Sequence, residues 1–352
     1  MRFENRAYRR LERAFLSVVV CTLALLARSV GAQPIVEYPI PTPGSSPESI
    51  AAGPDGNLWF TENRGNTIGR ITPAGAIDEF LMPTVQSGPY GIAAGPDGNL
   101  WFTERFDPGK VGRITPEGVM TEYPLPTVGS APSGITAGPD GNFWFTEVVT
   151  NKIGMITPDG VITEFQVPGN PISGPEGITP GPDGNLWFTG GQKNTIGLIT
   201  PAGVITEFTL PVPFSYPFNI TAGSDGALWF TEYDAGRIGR ITTDGTITEF
   251  LSALSQPYGI TAGSDGNLWF TEYGEGRVWR LTTDGVGSYS VIPTDSPRLH
   301  GITSGPDGNL WFTEGTGNKI GTLQLHAAPT TDRNTPALAV GHRSTVTVPT
   351  RP

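Results

Sequence analysis

Cysteine is almost missing from this chain of 352 residues: the one thiol, Cys21, lies in an apolar N-terminal run. The rest of the sequence therefore has no disulfide framework, no thiolate metal site and no cysteine nucleophile. Histidine is nearly as scarce, with His300, His326 and His342 as the three examples. Charge of one sign is also short, since 22 Lys and Arg stand against 33 Asp and Glu, for a formal net charge of −11. That balance excludes a nucleic-acid footprint and attraction to anionic membrane surfaces. No amphipathic helical period is found after residue 32.

What the chain has in quantity is glycine (48) and proline (34), set periodically between aromatic and β-branched runs, as in tight turns between strands. The N-terminus reads as a secretory signal over residues 1–32. Arg6, Arg9, Arg10 and Arg13 form its basic region, and Ala14–Ala27 is an apolar run too short to span a bilayer comfortably. Val30-Gly31-Ala32 supplies the small-residue cleavage site, so a secreted or periplasmic protein without stable membrane insertion is expected. Losing that segment takes the formal charge to −15.

The decapeptide GPDGNLWFTE at 53–62 returns at 95–104 and 305–314, with close copies at 138–147, 181–190, 223–232 and 263–272. Its tryptophans, Trp59, Trp101, Trp144, Trp187, Trp229, Trp269 and Trp311, are spaced 42, 43, 43, 42, 40 and 42 residues apart. A period near 42 with several strands per unit is the pattern of a propeller blade. Within residues 133–168 the pattern predicts strands at Gly134–Ala137, Phe143–Glu147, Lys152–Thr157 and Val161–Val167, with glycine-containing turns between them. Alternation in Phe143–Glu147 puts a large aromatic on both faces, as a blade packed between two neighbours requires.

The expected fold is all-β, a seven-bladed propeller of four-stranded antiparallel blades over residues 33–326. Ile35–Pro39 matches the fourth-strand pattern but has no first strand before it, whereas Lys319–Leu325 gives a third strand with no fourth after it. The N-terminal strand can therefore complete the last blade and close the ring. Residues 327–352, rich in Thr, Pro and Ala, fall outside the period and read as a disordered tail. His326 and His342, at or in that tail, are read as incidental.

Two positions per repeat should meet at one rim. The residue entering the first strand runs Glu48, Tyr90, Ser133, Glu176, Phe218, Tyr258 and His300. The residue ending the second strand runs Glu62, Glu104, Glu147, Gly190, Glu232, Glu272 and Glu314. The first series differs almost every time while the scaffold repeats, as expected where each blade gives a different group to one asymmetric pocket. The second series reads as mainly structural, with a subset, Glu272 and Glu314, able to hold Mg²⁺. His300 lies fourteen residues before Glu314, and the turn between their strands brings the two ends together. The pair is therefore a candidate base with its orienting carboxylate; a surface histidine is the alternative.

Units such as GITAGPDGNFWFTE and NKIGMITPDGVITEF resemble those of the virginiamycin B lyase family, the streptogramin-inactivating seven-bladed propellers, over about residues 35–325. The resemblance implies elimination at the ester bond of a cyclic depsipeptide, with Mg²⁺ at the rim. It places the family's histidine at His300 and a carboxylate at Glu314. The family's acid two residues before that histidine falls on Arg298, and its second histidine falls on Tyr258. One expectation is thus a carbon–oxygen lyase with His300 as base, Glu314 as its partner and Tyr258 as acid. Glu48, Tyr90, Glu176, Phe218 and Arg298 would then line the substrate site. The other is a non-catalytic exported propeller that binds a small molecule, sugar or peptide on Tyr90, Phe218 and Tyr258. A sugar-lactone hydrolase is a lesser third possibility. A monomer is expected in each case.

Overall fold

The computed structural model describes residues 34–325 except 107, 170 and 171. The expected signal segment, the expected tail, His326 and His342 lie outside the described residues. Within them the chain forms 28 strands in seven four-stranded antiparallel sheets, and no helix. Blades are numbered here from the strand Pro47–Ala52.

Blade 3 shows the unit. Its strands are Pro132–Ala137, Phe143–Glu147, Lys152–Ile156 and Ile162–Gln166, paired in sequence order. The first strand begins two residues earlier than its sequence pattern indicates. Pro132 still pairs with Glu147, but the register shifts before Ile135 pairs with Phe145. That irregularity lies at the rim in every blade and was hidden because it breaks the alternation of the strand. The outer strands are slightly shorter than expected, Lys152–Ile156 and Ile162–Gln166.

Closure follows the expected route. Ile35–Pro39 pairs with Lys319–Leu323, from Ile35 opposite Leu323 to Pro39 opposite Lys319, and becomes the outer strand of blade 7. Each tryptophan packs into the next blade. Trp101 of blade 2 clusters with Ile135, Phe143 and Phe145 of blade 3, and Trp311 of blade 7 with Ile50, Leu58 and Phe60 of blade 1. Six of the seven repeat tryptophans are fully buried and Trp269 is 3% exposed, so the layers between blades form one continuous ring of core. The Asp of each turn accepts from the indole of the following Trp, as Asp55 does from Trp59 at 3.1 Å, which satisfies the one polar atom of a buried ring.

Candidate functional site

Seven threonines lock the rim. The penultimate residue of each second strand points its hydroxyl toward the next blade and donates to the carbonyl of that blade's strand-entry residue. Thr61 reaches Tyr90 O at 2.7 Å, Thr271 reaches His300 O at 2.6 Å and Thr313 reaches Glu48 O at 2.9 Å across the seam of the ring. The same hydroxyls accept from the backbone N–H after their own blade's entry residue, as Thr271 does from Gly259 at 2.9 Å. The backbone of every rim residue is thus fixed, while its side chain is free to differ.

Two residues before each rim residue the backbone is left-handed: Ser46, Gly88, Ala131, Gly174, Tyr216, Gln256 and Arg298 all have φ between 47° and 62°. This turn swings the chain over the mouth and puts the Arg298 and Tyr216 side chains there.

The rim residues fall into two polar groups. On one side His300 Nδ1 lies 2.9 Å from Glu48 Oε2 and 3.1 Å from Pro47 O. Both partners are acceptors, so Nδ1 carries the proton and the neutral imidazole offers Nε2 as its basic nitrogen. Tyr258 stacks on the imidazole at 5.0 Å and Tyr273 at 5.4 Å. Tyr258 OH is 3.5 Å from Glu48 Oε2 and 2.8 Å from Tyr90 OH, so hydroxyls from blades 2 and 6 meet over the central channel. Burial holds both phenols above their ordinary range, with Glu48 adding to it in each case and Tyr90 adding to it for Tyr258, and they remain donors.

On the other side Glu176 accepts from Ser133 Oγ at 2.8 Å and from Tyr216 OH at 3.3 Å, with Arg105 at 3.7 Å. The Arg105 guanidinium lies 4.4 Å over the Tyr90 ring. Burial raises the Glu176 carboxyl, and Arg105 and the two hydroxyls oppose that rise. Phe218 packs on Tyr258 at 4.3 Å between the two groups. Glu48, Tyr258, Tyr273, Arg298 and His300 line a cleft of about 500 Å³.

Glu48, Tyr90, Glu176, Phe218, Tyr258, Arg298 and His300 therefore share one mouth. Glu314 does not join them. It stands opposite Leu299 in the ladder, while the His300 imidazole crosses to Glu48 and Pro47 of the next blade. It lies in the body of blade 7 near Glu37, Thr294 and Lys319, with burial foremost and Glu37 next pushing it up to about 7. The carboxylate beside His300 is Glu48. Glu272 is likewise turned inward, where it accepts from Ser255 N at 2.5 Å and Trp279 Nε1 at 2.8 Å. The two carboxylates expected to hold Mg²⁺ are thus absent from the mouth. Beside His300 the mouth offers Glu48, already engaged, and the guanidinium of Arg298, a donor set that does not fit a dication.

Arg105, Tyr233, Tyr273 and Gly315 belong to the mouth but were not singled out by the repeat. They follow the second-strand Glu, a position that reads Asn63, Arg105, Val148, Gly191, Tyr233, Tyr273 and Gly315 and varies as much as the strand-entry series. That variation was the available signal. Gly315 is required to be small, since a Cβ there would lie 2.5 Å from His300 Cε1.

The chain matches the virginiamycin B lyase family over residues 25–172 and 128–337. It is similar to a solved streptogramin B lyase at 40% identity, covering 84% of this chain and 98% of that one with a TM-score of 0.80. A catalytically inactive histidine-to-alanine variant of virginiamycin B lyase from Staphylococcus aureus, solved with quinupristin, is 42% identical, with coverage of 83% and 99% and a TM-score of 0.79. The curated virginiamycin B lyase of Bordetella parapertussis is 44% identical over 43 residues, which span 12% of this chain and 14% of that protein. With the repeat, the sevenfold closure and these matches in agreement, the chain belongs to the virginiamycin B lyase family.

Proposed function

We propose that this protein is an exported carbon–oxygen lyase that opens an ester-linked cyclic peptide by elimination, with His300 as the base. The observation that carries the reading is the His300–Glu48 contact at 2.9 Å, which leaves Nε2 as the basic nitrogen in a cleft lined by Tyr258, Tyr273 and Arg298.

In the proposed step Nε2 takes the proton α to a carbonyl. The C–H electron pair becomes a carbon–carbon double bond as the neighbouring C–O bond breaks, and the carboxylate leaves with the bonding electrons. No water is consumed, so the linear product keeps the mass of the ring. Glu48 positions the imidazole and stabilises the imidazolium that forms. Tyr258 stays protonated and can donate to the developing enolate oxygen. Arg298 stands where the family resemblance implies an acid, and brings positive charge to the mouth directly, so no step is assigned to a metal ion.

A second reading is supported by the stacked aromatics. Tyr258, Tyr273 and Tyr233 lie within about 6 Å of one another, and Arg298 covers Tyr273 at 5.6 Å. Such a surface suits binding of aromatic or sugar rings without turnover.

The deciding experiment is incubation of the purified protein with quinupristin and other ester-linked cyclic peptides, with Mg²⁺ added or chelated, followed by mass measurement. A linear product of unchanged mass in both conditions is expected. A gain of one water would replace elimination by hydrolysis, and saturable binding without product would favour the second reading.

A further inference from the structure

Six of the seven blades place a cation beside their carboxylates between the second and fourth strands, and blade 1 is the exception. In blade 2, Lys110 Nζ lies 2.5 Å from Glu122 and 4.0 Å from the buried Glu104. Lys152 reaches Glu164 in blade 3 at 2.5 Å, Arg237 reaches Glu249 in blade 5 at 2.6 Å, and Lys319 reaches Glu37 in blade 7 at 2.7 Å. In blade 6 Arg277 lies 3.4 Å from Glu272. Blade 4 has Thr195 at the cation's position, but its inner carboxylate is replaced by Gly190, and Lys193 reaches the remaining Glu207 at 2.5 Å.

Blade 1 keeps both carboxylates, Glu62 and Glu79, yet carries Thr67 at the cation's position and Gly65 at that of Lys193. Among the described residues no ion pair reaches either carboxylate. Glu62 is 0% exposed, and neither of its oxygens has a well-formed hydrogen bond, with the Thr67 and Ser45 hydroxyls as its nearest donors. Glu104, Glu232 and Glu314 are bonded no better, but each has a Lys or Arg beside it and Glu62 has none. The Glu62 carboxylate and the Thr67 hydroxyl face one spot. A Cβ on Gly65 would lie 3.1 Å from Glu62 Oε2, 3.2 Å from Thr67 Oγ1 and 2.9 Å from Ser45 Cβ. Glu79 is close enough to Glu62 for mutual repulsion, and it is held there by Thr42 through N–H and hydroxyl, each at 3.1 Å. Two carboxylates with no countercharge, one of them fully buried, are costly unless something positive joins them.

We propose that blade 1 binds a hard divalent cation between Glu62 and Glu79, at the place the lysine ammonium takes in blades 2, 3 and 7. The available donors are all oxygen, with the Thr67 and Ser45 hydroxyls beside the two carboxylates, and this set suits Ca²⁺ or Mg²⁺. The Ser45 hydroxyl donates to Asn318 Oδ1 at 3.0 Å and keeps lone pairs for a cation. The site lies within a blade and is independent of the chemistry at the mouth.

The test is titration of chelator-treated protein with CaCl₂ and with MgCl₂ at about pH 8, where protons compete least for the carboxylates. Calorimetry and thermal unfolding are both read. One saturable site is expected, with an unfolding midpoint raised by about 4 °C near saturation. Thr67→Lys supplies the ammonium that Lys110 gives blade 2, and is expected to abolish binding while raising the midpoint of the metal-free protein. Glu62→Gln is expected to weaken binding at least tenfold, and Glu147→Gln in blade 3 to leave it unchanged. Should Thr67→Lys fail to fold, Glu62→Gln decides. Absence of saturable binding, an equal response to NaCl, or binding untouched by Glu62→Gln would overturn the proposal. So would a midpoint that follows pH alone, which would mean a proton shared between the two carboxylates.

Discussion

His300 and Glu48 meet across the seam of the ring, where blade 7 adjoins blade 1, with Nδ1 2.9 Å from Oε2. If Nε2 is the base, His300→Ala should lower kcat by about 10²–10⁴-fold, the usual contribution of a general base. Glu48→Gln should cost less, about 10–10²-fold. Pro47 O still accepts from Nδ1 at 3.1 Å and holds the tautomer, so the variant loses mainly the charge that stabilises the imidazolium. KM should change little in either variant. Steady-state kinetics on the peptide found to be opened checks this, and full activity in His300→Ala would remove the mechanism.

Gly315 tests the same imidazole from its edge. Its φ is outside the left-handed region, so alanine suits the backbone. The added methyl would nevertheless sit 2.5 Å from His300 Cε1 and displace the ring. A displacement near 1 Å is enough to cost about 10²-fold in rate. Gly315→Ala should therefore lose activity with little change in thermal midpoint, and a fully active variant would mean that the position of His300 does not govern turnover.

Much of this site was legible in the sequence, and its gaps have a common cause. Glu48, Tyr90, Glu176, Phe218, Tyr258 and His300 stood out because one position varied within an otherwise constant repeat. Ring closure was legible because Ile35–Pro39 and Lys319–Leu323 each lacked a partner. The pairing of His300 with Glu314 failed because closeness along a hairpin does not give side-chain direction. Leu299 is the residue paired with Glu314, and the register shifts immediately after it, so His300 reaches across the seam instead. Its actual partner, Glu48, comes from the neighbouring blade, so finding it required knowing which side chains cross the seam. Tyr273 and Arg105 do not stand out because each directly follows the repeated glutamate, at a position past the end of the regular strand pattern.

The threonine locks predict a separation of stability from activity. Thr271 is fully buried, donates to His300 O and accepts from Gly259 N. Thr103 does the same for Ser133 O at 2.6 Å and Gly91 N at 2.9 Å, on the other side of the mouth. Valine at either position leaves an N–H and a carbonyl unsatisfied and should cost about 1–3 kcal/mol in chemical denaturation. Only Thr271→Val should also lower kcat, because it releases the backbone that carries the base. Equal kinetic losses in the two variants would show that the locks act on stability alone.

The buried glutamates predict an unusual pH profile for the fold. Burial, reinforced by neighbouring carboxylates, pushes Glu104, Glu232 and Glu314 up to about 7 from an ordinary 4.5. Each binds its proton more tightly in the folded than in the unfolded chain. Stability from this source is complete below about pH 4.5 and is lost as pH rises through about 7. The outer glutamates have the opposite sign. Burial alone would raise Glu37, Glu122 and Glu164, but hydrogen bonds from Lys319, Lys110 and Lys152 and from nearby threonines hold them below the ordinary value. Their contribution is present above about pH 4.5 and is lost below it. The thermal midpoint should therefore be highest near pH 5 and decline toward pH 8. Glu104→Gln, which cannot ionise, should reduce that decline while leaving the fall below pH 4.5 in place. Unfolding curves between pH 4 and 8 check both, and a midpoint rising steadily from pH 5 to 8 would contradict the assignment of protons to the inner ring.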